Sequence, residues 1–268
     1  MKGERKRIRY LIALAMVMCA LFLAASSANA AAYKKKWVRS GGYTYYYDAK
    51  GNKVTGLKKI GKKTYYFDSY GIQRTGWRNI NGYFYFFRIA HAAKGYMQKN
   101  VTIDGVKISS DGRAYVTDAN KRKLIVMDCA SKLVDQNTVP SWSFARKRRA
   151  MFEYTAWNYG NSWIPDYFYE SDYDAAYAEI LFYRGYGDCF AFAAGFGYFM
   201  NAIGYHNVVV AHNTKHCWIE WNNHTFDPHW YRSYPYTNTY YISPAQNGTG
   251  GRPDLISISI YHKNIDKA

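Results

Sequence analysis

Cysteine is scarce in this chain. Its 268 residues hold four, one of which, Cys19, lies among the first 30. Three are left once that leader is set aside, which is too few for a disulfide scaffold, and an odd count leaves at least one thiol free. If Cys189 is that thiol, Cys129 and Cys217 could pair or could both stay reduced and buried. Acidic side chains are scarce as well, 19 against 36 lysines and arginines, for a formal net charge of +17. Removing the first 30 residues takes away five basic residues and Glu4 and leaves +13. Such a surface favours anionic surroundings such as teichoic acids, acidic glycans and phosphate-rich walls. No nucleic-acid fold motif accompanies the charge, so no specific nucleic acid is expected. Metal spacings are also missing. His206, His212, His216, Cys217, His224 and His229 crowd one span, but neither C-x2-C nor H-E-x-x-H occurs. Zinc is therefore the weaker rival chemistry, and neither metal nor cofactor is expected.

The N-terminus has the make-up of an export signal. Lys2, Arg5, Lys6, Arg7 and Arg9 precede an apolar run over residues 11–25, and Ala28-Asn29-Ala30 supplies a small-residue cleavage site. Residues 1–30 are expected to be removed, giving a secreted chain from near Ala31 with no membrane anchor.

Tyrosine is abundant, 29 residues, and in the N-terminal third it is periodic. Gly41-Gly42-Tyr43-Thr44-Tyr45-Tyr46-Tyr47-Asp48 recurs 20 residues on as Gly61-Lys62-Lys63-Thr64-Tyr65-Tyr66-Phe67-Asp68, and again as Asn81-Gly82-Tyr83-Phe84-Tyr85-Phe86-Phe87. Each aromatic strand is followed by a turn, at 48–51 or 68–71, and then by Thr55-Gly56-Leu57 or Thr75-Gly76-Trp77. One β-hairpin per repeat is expected, formed by the aromatic strand, this turn and the strand after it. Isolated hairpins of this size are unstable, so neighbours must stack into a solenoid. Residues 37–116 resemble the cell-wall-binding repeats of choline- and glucan-binding surface proteins. The resemblance implies a noncovalent wall anchor with ligands held between hairpins, and Tyr66, Trp77 and Tyr85 are the candidate ligand residues. It departs from the choline type where Thr44, Thr64 and Phe84 replace a tryptophan, and where Leu57 stands in the place of Trp77. That favours a glycan over choline. Alternatively, the rings form only the spine of the solenoid.

Beyond residue 117 the pattern turns helical, with helices expected at 119–134, 143–157, 173–183 and 189–203, the third capped by Asp172. Short strands follow at 208–210, 217–221 and 225–226, and 255–261 reads as a half-buried strand. Chemistry concentrates in this region. Gly185-Tyr186-Gly187-Asp188-Cys189 opens the last helix, His216-Cys217-Trp218 precedes a strand, and Phe226-Asp227-Pro228 follows. Asp188 is a good N-cap and Gly204 a good stop, so Cys189 falls in the first turn, where the helix dipole favours an anion. An imidazole that takes the thiol proton and a carboxylate that orients the imidazole complete a nucleophilic set. Cys217, one residue from His216, should face the opposite side and pack in the core.

These three frames resemble the transglutaminase-like branch of the papain-like cysteine enzymes. The resemblance implies an α+β papain-like, transglutaminase-like catalytic domain at 117–268 after an all-β hairpin-repeat solenoid, with Cys189, His216 and Asp227 as catalytic residues. It implies action on the amide bonds of a peptide or protein, with water or an amine as acceptor. The Cys189 N–H is expected to be one oxyanion donor, and Trp157, Trp163 and Tyr186 are candidates for the second. The rival is a noncatalytic wall- or glycan-binding protein whose triad is a relic. Each module is expected to have its own core.

Overall fold

A computed structural model of the chain describes residues 33–165, 172–212, 216–235, 239–242 and 256–260. The export signal expected at 1–30 lies outside them. Among the described residues no helix is long and apolar enough to cross a membrane.

Four antiparallel hairpins come first. β1 (Lys36–Ser40) pairs with β2 (Tyr43–Tyr47), and β3 (Gly56–Ile60) pairs with β4 (Lys63–Phe67), to which the short β5 (Gln73–Arg74) adds. β6 (Gly76–Ile80) then pairs with β7 (Tyr83–Phe87), and β8 (Val101–Ile103) with β9 (Val106–Ile108). The aromatic strand is therefore the second arm of its hairpin. The expected pairing with the following segment shrinks to short contacts such as the Tyr47–Lys53 bridge. Two-residue loops decide the frame. Asn81-Gly82 and Asp104-Gly105 have positive φ at both positions (52° and 84°, 53° and 77°), the conformation that matches strand twist. The 48–51 and 68–71 turns instead link successive hairpins, with each aspartate accepting backbone N–H groups at 2.8–2.9 Å.

The helices follow: α1 (Asp118–Asn137), α2 (Phe144–Asn158), α3 (Tyr173–Arg184) and α4 (Cys189–Ile203). Between them, β10 (Gly160–Asn161) pairs in parallel with β11 (Tyr186–Gly187). Asp172 stands at the start of α3 but makes no side-chain cap there; its carboxylate binds Arg122 at 3.0 Å instead. α4 is apolar on every face, as a helix enclosed on all sides must be. A five-stranded antiparallel sheet packs against it. This sheet is built from β12 (Val208–His212), β13 (Cys217–Trp221), β14 (His224–Phe226), β15 (Tyr240–Ile242) and β16 (Ile256–Ile260), in the order β15-β14-β13-β12-β16. A short α5 (Pro228–Ser233) follows β14. The half-burial expected of the last strand, β16, concerns side chains that lie outside the described ones.

The expectation of two separate cores is corrected. Trp77, Phe84, Phe86 and Ile103 of the third and fourth hairpins belong to the same buried cluster as Leu124 and Met127 of α1 and Phe192, Phe196 and Tyr198 of α4. The carboxylate of Asp104 ties the seam, accepting from Trp77 Nε1 at 2.8 Å and from Asn201 Nδ2 at 3.1 Å. Asp128 of α1 accepts from the Asn79 N–H at 2.9 Å. Two small clusters stay apart from it among the described residues: one built on Val54, Tyr65 and Phe67 with Trp37 packed against them, and one on Tyr85, Phe87 and Met97.

Candidate functional site

Cys189 is the first residue of α4. Asp188 caps the helix, accepting from the N–H groups of Phe190 (3.1 Å) and Ala191 (3.3 Å), and leaves the Cys189 N–H for another partner. The β10–β11 pair braces this turn through bonds from Gly160 N to Gly185 O (2.7 Å) and from Ser162 N to Gly187 O (2.9 Å). Gly187 must be glycine, because a Cβ there would collide with Ala191 Cβ.

The β13–β14 hairpin supplies the other two groups. Its register sets Ile219 against Phe226. One step outward brings Asp227 opposite Trp218, and His216 lies two residues further on the same face, within diagonal reach. His216 Nε2 is 2.5 Å from Asp227 Oδ2, and Asp227 Oδ1 accepts from the Trp230 N–H at 2.8 Å, capping α5. Asp227 is only 2% exposed. The imidazole also hydrogen-bonds to Cys189, and with Nε2 engaged by Asp227 the nitrogen left for the thiol is Nδ1. Trp218 lies parallel to the ring with centroids 6.3 Å apart, and its Nε1 donates to Glu220 at 2.8 Å. Trp230 meets the ring edge-on at 5.7 Å. The structure therefore brings Cys189, His216 and Asp227 together.

Burial alone would depress His216, but its hydrogen bonds to Asp227 and Cys189, together with their negative charge, outweigh that and push its pKa up to about 10. The imidazole is thus protonated across neutral pH. Cys129, Cys189 and Cys217 are all free thiols, so the possible Cys129–Cys217 disulfide is absent. Burial pushes both Cys129 and Cys217 above the ordinary thiol range, and Cys217 sits in the core.

Sequence reasoning missed a second pair beside the triad. His229 lies 6.0 Å from His216, centroid to centroid, and its Nε2 contacts Asn161 Oδ1 at 3.0 Å. Burial lowers its pKa. Its position just after Asp227-Pro228 was a usable signal, but its partner lies 68 residues away on β10. Among the described residues no cluster of three or more His, Cys, Asp or Glu side chains could hold a metal ion. Of the candidate oxyanion donors, Trp157 and Trp163 are 51% and 80% exposed, while Tyr186 is half-buried on β11.

The candidate ligand residues of the hairpins do not converge on one cage. Trp77 is 1% exposed, with its indole committed to Asp104, so it offers no open wall and is core. Tyr85 is buried at 6%, and Tyr66 is half-buried against Phe87 at 6.0 Å. Other rings already carry cations of the chain itself: Lys53 over Tyr45 (3.9 Å), Lys63 over Tyr96 (3.4 Å) and Arg113 over Tyr83 (3.8 Å).

The likeness to known proteins falls on the hairpins. Residues 54–90 match the choline-binding repeat family. Choline binding protein F from Streptococcus pneumoniae is similar to these choline-binding-type repeats at 29% identity, over 31% of this chain and 26% of that one, with a TM-score of 0.28. The choline binding domain of Spr1274 in Streptococcus pneumoniae is similar at 25% identity, over 30% of this chain and 93% of that one, with a TM-score of 0.26. The chain spans about a quarter of the length of the first structures it matches. No curated protein matches it.

Proposed function

We propose that the chain is a wall-associated cysteine enzyme that acts on amide bonds, anchored by its choline-binding-type repeats. The observation that carries this reading is the His216–Asp227 contact of 2.5 Å, with the same imidazole hydrogen-bonded to Cys189 at a helix start. An imidazole with a pKa near 10 holds its proton beside the thiol, which favours the imidazolium–thiolate pair. The thiolate attacks the amide carbonyl, and the Cys189 N–H steadies the developing oxyanion. His216 then gives its proton to the leaving amine, and a thioester remains on Cys189. Water or a second amine, deprotonated by His216, attacks that thioester and restores the thiol. Asn161 faces Gly187 across the β10–β11 pair, with its Oδ1 held by His229, and in this reading its amide is the candidate second donor.

The repeats take a wall glycan or teichoic acid in this reading. Quaternary ammonium is the weaker ligand in this reading, because Trp77 and Tyr85 are buried and Tyr45, Tyr96 and Tyr83 already lie under Lys53, Lys63 and Arg113.

The family match favours a second reading, in which the protein only binds the wall and the triad is a relic. Incubation of the mature protein with peptidoglycan peptides and with casein, with and without a primary amine, separates the two. Mass spectrometry should show cleavage, deamidation or amine incorporation, and Cys189→Ala should abolish it while the melting temperature stays unchanged. No product from any substrate, together with intact wall binding, would leave the binding reading standing.

A further inference from the structure

We infer that the seam between the hairpins and the helices contains a binding site for a phosphate group. A cavity of about 260 Å³ lies there, lined by Arg78 of β6, His91 after β7, Ser131 and Asp135 of α1, Lys147 of α2 and the C-terminal end of α4. It is distinct from the cysteine site, which occupies the other end of α4, about 22 Å away at 1.5 Å per residue.

Charge in this cavity is unbalanced. Asp135 is its one lining carboxylate, and it is engaged by Arg78 at 2.8 Å and by Arg74 at 3.4 Å. The Thr75 carbonyl also accepts from Arg78 Nε at 2.9 Å, and Arg74 also pairs with Asp68 at 2.7 Å. Lys147 has no carboxylate within ion-pairing distance among the described residues. Burial lowers its pKa, and burial together with the charges of Arg39 and Lys147 lowers that of His91. The charge of a bound anion would oppose both shifts. A hydroxyl stands ready as well. Ser131 is 3% exposed, and its Oγ has no hydrogen-bonding partner. A buried hydroxyl left in this way is costly, so an acceptor entering the cavity has a donor waiting.

The donors come from three separate elements: the hydroxyl from α1, the ammonium from α2 and the imidazole from the segment after β7. A tetrahedral oxyanion accepts from three sides, whereas a carboxylate accepts mainly in its plane. The space suits a phosphate with a small organic substituent. Inorganic phosphate, a terminal phosphomonoester and an internal phosphodiester of a wall polymer share this chemistry.

The test is calorimetric titration and thermal melting of the mature protein with sodium phosphate, with ionic strength held constant by chloride. Binding should be saturable and should raise the melting temperature. Lys147→Gln should weaken it about tenfold or more, and Ser131→Ala about three- to tenfold. The NMR-measured pKa of His91 should rise on phosphate addition, a readout that survives if the Lys147 variant folds poorly. Parallel titrations with glycerol 3-phosphate and with bis-glycerol phosphate identify the source. Binding of the first alone points to free or terminal phosphate, and binding of both points to the polymer backbone. Failure of phosphate to exceed chloride, or equal affinity in both variants with an unmoved His91, would mean an adventitious ion only and would overturn the proposal.

Discussion

Replacement of Trp77 tests whether the hairpins and the cysteine region are one folding unit. Its side chain is 1% exposed between β7 and the helices, meets Phe86 edge-on at 5.3 Å, and donates to Asp104, which also holds Asn201 of α4. Trp77→Ala removes a large buried ring and should cost about 3–5 kcal/mol, a large share of the roughly 5–15 kcal/mol that holds a folded protein together. At about 2–4 °C per kcal/mol for a chain of this size, the melting temperature should drop by roughly 6–20 °C. Trp77→Phe keeps most of the packing but deprives the buried Asp104 carboxylate of one donor, for a cost of about 1–3 kcal/mol. The assay is urea unfolding of the mature chain, followed by circular dichroism and by the reactivity of Cys217. That thiol is also 1% exposed, but it sits on β13, in the sheet that packs on the far side of α4. With a shared core the two signals shift together in both variants. If Cys217 stayed protected at the wild-type urea concentration while the hairpins melted, the cores would be separate and the reasoning wrong.

Two further outcomes follow from the electrostatics of the cysteine site. Asp227→Asn removes the charge and the strongest support of the His216 proton, so the imidazole pKa, followed by NMR, should fall from about 10. The raised value stabilises the fold fully below the ordinary 6.5 and loses that contribution as pH rises through about 10. The alkaline limit of activity should accordingly lie near pH 10 and move lower in the Asn variant; an unmoved limit would refute His216 as the titrating group. A thiol-directed electrophile at mildly acidic pH should label Cys189 well before Cys129 and Cys217, whose thiols burial keeps protonated. Equal, slow labelling of all three would contradict the ion pair.

The parts of the structure legible in the sequence are those set by neighbouring residues. Helix α4 runs from Cys189 to Ile203 because Asp188 and Gly204 bracket an apolar run. The three frames pointed to Cys189, His216 and Asp227, which the fold brings together, because each sits at the end of an element marked by its own cap or turn. The hairpin frame is not legible locally, because two turn signals flank each aromatic strand and local pattern does not rank them. Two-residue loops with left-handed backbone win because they match strand twist. Trp77 was ambiguous for a different reason. An aromatic ring reads alike as ligand wall or core, and what decided its role was Asp104 and Asn201, 27 and 124 positions away. The same holds for the cap expected of Asp172, whose carboxylate turns instead to Arg122, 50 residues upstream.

The passage from the last hairpin to the first helix has no slack. Ala114 bridges to Ile108, the Tyr115 N–H bonds to the Lys107 carbonyl at 2.9 Å, and Thr117 already caps α1. An enzyme on a loose tether sweeps a volume around its anchor and can exhaust every bond inside it. A welded one reaches only what lies at a single bearing from the point of attachment. If the hairpins grip the wall and the cysteine site is catalytic as proposed, Cys189 would work on one spot per docking event, and continued action would demand release and renewed docking. The residence time of the anchor then governs throughput, and a tighter grip would make a slower enzyme.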